Sequence, residues 1–268
     1  MHIEMPVKKI NQIVENDQIS GQEINFNILR DVGIFIIRNK LSKELIENYK
    51  KQYDLYKLSP EFDRTPSHLT EVNFKIDNPL SNLLYEIEFK NLIKNFFDGN
   101  VGVYNIRIVK KDREDVMPVF LHQDIGYQYG SFNRYSLFVP LTNCHKDNGG
   151  LTFIPGTHKF GFLGDAGEIN EKIIPPSLVQ LTPEIMPGDV VVMDSCLWHK
   201  SGPNLTGGER VYYDIHINSS QDPASKFVIS GKDNSEYKFN YDQNILFNNS
   251  RVQRLKKLNE LNVRSEQL

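Results

Sequence analysis

The spacing of hydrophobic positions changes once along this chain, near residue 100. Before that point, Gly33-Ile34-Phe35-Ile36-Ile37 is a short apolar run opened by a glycine, which predicts a buried strand. Ser42 then offers an N-cap, and Leu45, Ile46, Tyr49, Tyr53 and Tyr56 recur at helical spacing until Ser59-Pro60 stops the pattern. A second helical stretch is predicted from about Pro79, with Leu83, Leu84, Ile87, Leu92, Ile93, Phe96 and Phe97 on its apolar side, closed by Asp98-Gly99. Both read as amphipathic helices covering a sheet.

From Val101 the period falls to two. Val101, Val103 and Asn105 alternate with Tyr104, Ile106 and Ile108, and β-branched or aromatic residues dominate the later apolar segments. The predicted strands are Val119 to Leu121, Tyr135 to Leu141, Leu151 to Ile154, Val190 to Met193 and Arg210 to Ile217. Asn148-Gly149-Gly150, Pro155-Gly156 and Pro187-Gly188-Asp189 punctuate them. Short strands with such punctuation predict a sandwich or jelly roll. Near the far end, Val252, Leu255 and Leu258 share one stripe among Arg and Lys, which predicts a surface helix over 250–261. No internal repeat or Pro/Gly/Ser linker divides the chain. We therefore read residues 1–268 as one domain, with a helical cover over about 1–100, a β core over about 101–220 and an extension over about 221–268.

Composition narrows the function classes. The 268 residues are 39% hydrophobic and 24% charged, as a chain with a sizeable core should be. Thirty-one basic side chains against 34 acidic ones leave a net charge of −3, too balanced for the phosphate-neutralising field that nucleic-acid binding needs. Two cysteines are too few for a disulfide framework and fit a reducing cytoplasm. With no signal-like h-region and no run near the ~20 apolar residues of a membrane span, the expectation is a cytoplasmic protein without nucleic-acid or membrane partners.

The sharpest chemical feature is Leu121-His122-Gln123-Asp124. On a strand, positions i and i+2 face the same way, so His122 and Asp124 point together. Taken alone, such a pair is more often a strand-end hydrogen bond than a pair of metal ligands. A second segment changes the balance: Pro187-Gly188-Asp189 launches an apolar strand that runs on to His199, followed by a turn over Lys200 to Asn204 and by Arg210 opening another strand. Two imidazoles and one carboxylate form the facial set of non-heme Fe(II) oxygenases, which leaves coordination positions open. Arg210 carries the planar fork that clamps a carboxylate, although a lone arginine is ordinarily just a surface residue.

At these residues the chain resembles the phytanoyl-CoA dioxygenase-like family of Fe(II)/2-oxoglutarate-dependent oxygenases. The resemblance rests on Leu121-His122-Gln123-Asp124 and on Asn148-Gly149-Gly150-Leu151 with Ile154-Pro155-Gly156-Thr157-His158-Lys159. It rests equally on Pro187-Gly188-Asp189 and on His199-Lys200-Ser201-Gly202-Pro203-Asn204 with Arg210. The segment from Phe26 to Tyr56 also looks like the family's front strand and helix, whereas the last 45 or so residues are not covered.

The resemblance implies a mainly β fold with flanking helices, a double-stranded β-helix of the jelly-roll, cupin-like kind. It implies His122, Asp124 and His199 as iron ligands, with Ser201 and Arg210 holding the distal carboxylate of 2-oxoglutarate. Arg107 and Phe138 fall where family members contact the co-substrate; Arg107 has a substrate contact or a core-edge ion pair as its other readings, and Phe138 that of a packing wall. His158 reads as a turn-stabilising histidine, His145 and His216 as structural ones, and Tyr127, Tyr129 and Trp198 as candidate pocket aromatics.

The implied activity is hydroxylation of a small-molecule metabolite by a monomer or homodimer, with Fe(II) as cofactor, 2-oxoglutarate and O₂ as co-substrates, and release of succinate and CO₂. Halogenating relatives replace the metal-bound carboxylate by a small residue, and Asp124 is present here. Two alternatives stay open at this point. One is a non-catalytic jelly roll that binds a sugar or polyketide; the other is a cupin-type enzyme using zinc or manganese.

Overall fold

The computed structural model describes residues 4–60, 62, 69–71, 78–114, 116–127, 130–164 and 168–233. The stripe predicted over 250–261 and Tyr129 lie outside them, as does the side chain of Tyr127. The helix α1 (Glu4–Glu15) leads into a two-residue strand β1 (Ser20–Gly21), then α2 (Phe26–Val32) and β2 (Ile34–Ile37). Asn25 caps α2 by accepting from the amides of Asn27 and Ile28. Gly33 ends it at φ 85°, a left-handed conformation that turns the chain directly into β2, and a Cβ there would meet the His158 ring at 2.5 Å.

The helix predicted from Ser42 is α3 (Lys43–Tyr56), with the Ser42 hydroxyl accepting from Leu45 N. The second predicted helix is broken. Pro79–Tyr85 forms 3₁₀ turns, Glu86 is extended, α4 covers Ile87–Ile93, and Phe96–Gly99 is again a tight turn. The physical reason is phase. The buried Leu84 and Phe89 are five residues apart, which no continuous helix holds on one face, and Ile87 is left 68% exposed. The extended Glu86 resets the phase, and its carboxylate accepts from Tyr49 of α3.

The strands that come after β3 (Leu69–Glu71) are β4 (Val101–Lys111), β5 (Val119–His122), β6 (Tyr135–Pro140), β7 (Leu151–Phe153), β8 (Val190–Asp194), β9 (His199–Ser201), β10 (Arg210–Ser219) and β11 (Phe227–Val228). They form two sheets. The larger runs β1-β2-β8-β6-β10-β4-β11, with β3 also on β4, and the smaller runs β5-β9-β7. This is the expected jelly roll with flanking helices.

The larger sheet is buried on both faces. Outward residues Ile106 and Ile108 of β4, Leu137 and Val139 of β6 and Val211, Tyr213 and Ile215 of β10 pack under Ile46, Tyr49 and Tyr53 of α3 and Phe89, Leu92 and Ile93 of α4. Each such apolar side chain fully buried contributes about 1.5–3 kcal/mol. Inward residues Val109, Phe138, Val191, Met193 and Tyr212 meet Leu151 and Phe153 of the smaller sheet. Period-two alternation along β4 and β10 therefore decides which residues face the helices and which face the inside of the roll.

Candidate active site

His122 ends β5 and His199 opens β9, and the two are register partners in the smaller sheet. Their ring centroids stand 4.2 Å apart. The strand that begins at Val190 does not reach His199, contrary to the expectation from the apolar run. It stops at Asp194, and a turn closed by Leu197 N to Asp194 O carries the chain across to the other sheet. Lys200 and Ser201, expected in a turn, continue β9. Asp124 likewise lies beyond β5, at the start of a 3₁₀ turn over Asp124–Tyr127, rather than on the strand. That turn is pinned by Ile125 N to Ser195 O at 2.9 Å. Gln123 points elsewhere, bonding to the carbonyls of Gly161 and Cys196 and to Leu163 N.

The three expected ligands converge, with donor atoms all within 4.8 Å of one another. The imidazoles are oriented by the backbone. His122 Nδ1 meets Phe120 O at 2.7 Å and His199 Nδ1 meets Leu197 O at 3.0 Å. A carbonyl only accepts, so each Nδ1 carries the proton and each Nε2 keeps its lone pair for a ligand. Both Nε2 atoms lie 3.5 Å from Asp124 Oδ1. The other oxygen, Oδ2, accepts from the Ser136 hydroxyl at 2.7 Å. Orienting partners of this kind are what a metal site needs around its ligands. The donor set thus fits a divalent metal with octahedral preferences.

Burial by itself would raise the Asp124 carboxyl; His199 and His122, with His216 behind, hold it well below the usual carboxylate range. Burial disfavours a charged His199, and the facing Asp124 more than offsets that, so its pKa is raised. In the metal-free protein this contact contributes stability that is complete below the unfolded imidazole value of about 6.5 and is lost as pH rises through the raised folded value. Thermal unfolding of the wild type and His199→Gln between about pH 6 and pH 9 should show a difference that shrinks with rising pH. A difference that grows would contradict the assignment.

The cavity beside these groups encloses about 240 Å³. On the larger sheet β4 and β10 pair Lys111 with Arg210 and Arg107 with Asp214, of which Arg107 and Asp214 line the cavity. Between the two pairs lie Val109 and Tyr212, with Phe138 packed edge-on to Tyr212 at 5.5 Å between ring centroids. Arg107, Phe138 and Ser201 line the cavity.

Arg210 is fully buried, its guanidinium 4.4 Å from the Tyr212 ring centre, and none of its three nitrogens has a hydrogen-bond acceptor among the described residues. It is not among the residues lining the cavity, whereas Ser201 and Tyr212, on whose ring it sits, are. Lys111, which the strand pattern does not single out, is also fully buried and donates from Nζ to Ser201 Oγ at 2.8 Å and to Gly202 O. Register sets these two buried cations side by side on β4 and β10.

At the other end, Arg107 Nε donates to Asp214 Oδ2 at 2.6 Å, and His216 Nε2 meets Asp214 Oδ1 at 2.8 Å. Burial would raise the Asp214 carboxyl, and Arg107 with His216 lowers it below the usual value instead. Asp124, Asp214 and His216 also lie close enough to hold an ion. Both Asp214 oxygens are engaged internally, however, so this second set reads as a support for Asp124, whose Oδ2 is 3.9 Å from His216 Nε2. Period two from Arg210 already puts Tyr212, Asp214 and His216 on its face, which is the signal that would have found them.

The remaining expectations are structural in outcome. Trp198 does not line the cavity; it packs with Val7, Leu121 and Ile154, against Phe160. His158 Nε2 meets Arg30 O and ties its turn to the end of α2, and the His145 carbonyl closes the turn to Gly150.

Known proteins resemble this chain. The dioxygenase andF of Emericella variicolor is 24% identical over 210 residues, covering 68% of this chain and 69% of its own. Two other curated proteins match over 27% and 20% of their own length. Among solved structures, SnoN, a non-heme alpha ketoglutarate dependent epimerase from nogalamycin biosynthesis, superposes with a TM-score of 0.64 at 16% identity, over 73% of this chain and 82% of its own. EctD from S. alaskensis, solved with 2-oxoglutarate and 5-hydroxyectoine, gives 0.61 at 17% identity over 72% and 74%. These likenesses establish a shared fold. The family model for phytanoyl-CoA dioxygenase (PhyH) matches residues 29–212, from α2 into β10 and through the whole donor set, and the chain belongs to that family.

Proposed function

We propose that this chain is an Fe(II)/2-oxoglutarate-dependent dioxygenase that hydroxylates a small-molecule metabolite, releasing succinate and CO₂. The observation that carries the reading is the donor set itself: two Nε2 lone pairs and one carboxylate oxygen, set by backbone carbonyls and Ser136, beside a cavity with a cationic end. Membership of a dioxygenase family supports it.

In this reading His122, Asp124 and His199 hold the metal, and bound iron supplies the chemistry of O₂ activation with 2-oxoglutarate as reductant. Arg210, Ser201 and Lys111 answer the distal carboxylate of the keto acid, Lys111 keeping the Ser201 hydroxyl in place. Phe138 and Val109 form the apolar wall along its carbon chain and keep water from the reacting end. Asp124, rather than a small residue, favours hydroxylation over halogenation. Arg210 also weighs against a zinc or manganese cupin, which has no need of a carboxylate clamp.

The reading takes residues 1–268 as one catalytic domain, acting in the cytoplasm as a monomer or homodimer on a small molecule. Cys144 and Cys196 are buried free thiols, and no helix among the described residues is long and apolar enough to cross a membrane.

Purified protein loaded with Fe(II) should convert 2-oxoglutarate to succinate, and a panel of metabolites should include one that stimulates the release. A binding protein would release none above the metal-free control, and tight zinc binding without 2-oxoglutarate binding would favour the cupin alternative.

A further inference from the structure

We infer that Arg107 anchors a carboxylate of the primary substrate, so that the molecule oxidised is a small carboxylic acid. The inference rests on the oxygenase reading above. Register puts Arg107 and Lys111 four residues apart on one face of β4, about 13 Å along the strand. Ser201 belongs to the Lys111 end, through its bond to Lys111 Nζ. The Arg107 end reaches the metal-ligand set instead, through Asp214, His216 and Asp124 in contact sequence. A keto acid held between the ligand set and the Lys111/Arg210 end leaves the Arg107 end for a second molecule. Register separates Arg107 from Lys111 and Ser201, while Phe138, paired to Asp214, stays at the Arg107 end.

The atoms at that end select the charge of what binds. Both Asp214 oxygens already have partners, Arg107 Nε on one and His216 Nε2 on the other, so its negative charge is largely answered within the protein. Arg107 spends only Nε among the described residues, and its side chain, 19% exposed, lines the cavity. Its Nη donors have a planar arrangement that matches the two oxygens of a carboxylate. Asp214 fixes the fork from one side, which limits the rotamer entropy lost when an anion docks. The rest of the wall, Val109, Phe138, Leu151 and Tyr212, is apolar or aromatic.

The test is anaerobic titration calorimetry on the full chain loaded with Fe(II) and 2-oxoglutarate. The probes are propionate, benzoate and phenylacetate, each paired with its primary amide, which keeps shape and removes charge. At least one acid should bind saturably and at least about tenfold more tightly than its amide. Arg107→Gln should weaken that acid at least about tenfold more than it weakens 2-oxoglutarate. Arg107→Lys, which keeps the charge pair with Asp214 but not the fork, should also lose most of the preference for acid over amide.

The inference is overturned if no acid binds the loaded wild type, if acid and amide bind alike, or if Arg107→Gln weakens 2-oxoglutarate as much as it weakens the acid. The acid-against-amide comparison needs only the wild type, so it stands even if a variant fails to fold. Failure of 2-oxoglutarate to bind the Fe(II)-loaded wild type is a separate result: it removes the oxygenase reading and this inference with it.

Discussion

His199→Ala is expected to bring Fe(II)-dependent succinate release down to the metal-free background. His199 is one of only two imidazoles in the donor set, and its Nε2 is aimed by the Leu197 carbonyl with almost no solvent around it. Losing a partner that merely orients a metal ligand costs about 10- to 100-fold in metal affinity or activity. Removing the ligand itself should exceed that range in both. The fold should survive, because His199 is a three-residue strand's first position and its neighbours Leu151 and Phe153 keep their places in β7. Equilibrium dialysis with Fe(II), succinate release and far-UV circular dichroism on the same preparation separate the two effects. A folded variant that keeps turnover within a few fold of wild type would remove His199 from the metal site.

Arg210→Met is expected to weaken 2-oxoglutarate binding and to stabilise the ligand-free protein. The guanidinium is fully buried and none of its nitrogens has a hydrogen-bond acceptor among the described residues, so it costs stability until an anion reaches it. Removing one partner of a buried charge pair typically costs 2 to 5 kcal/mol, or roughly 30- to 5,000-fold in affinity. The loss should fall toward the lower end, because Lys111 remains at the same end of the cavity. Methionine fills a similar volume without a charge, so the melting temperature of the ligand-free variant should rise. Calorimetric titration of 2-oxoglutarate with thermal unfolding of both proteins reads the two effects. A variant that binds 2-oxoglutarate as tightly as wild type would show that Arg210 is not the anchor.

The fold is largely readable from the chain because its signals are local. Alternation locates the strands from Val101 onward, and Ser42 with the helical spacing of Leu45 to Tyr56 locates α3. The 79–99 segment reads as one helix because its apolar residues look continuous, although the five-residue step from Leu84 to Phe89 already breaks the phase. The α2 helix is absorbed into the approach to β2, being only seven residues long.

The site divides in the same way. Residue type and motif find His122, Asp124, His199, Ser201 and Arg210, yet the geometry bringing the first three together differs from the one expected. Asp124 is presented by a turn, and His199 by a short strand that nothing in the Val190 run announces. Lys111, Ser136, Asp214 and His216 escape assignment because their roles exist only across strands. Lys111 needs the β4–β10 register and the reach to β9, and Ser136 needs the turn at Asp124. Side-chain alternation gives a residue's face, and only pairing gives its neighbour.

The central claim is that three side chains form one ferrous site with positions left for a keto acid. Its most direct test is anaerobic addition of 2-oxoglutarate to the Fe(II)-loaded protein, followed by visible absorption, since a chelated keto acid gives Fe(II) a charge-transfer band. The account predicts a band that saturates at one 2-oxoglutarate per chain and is missing in His199→Ala. A wild-type protein that binds Fe(II) and develops no band at saturating 2-oxoglutarate would contradict it.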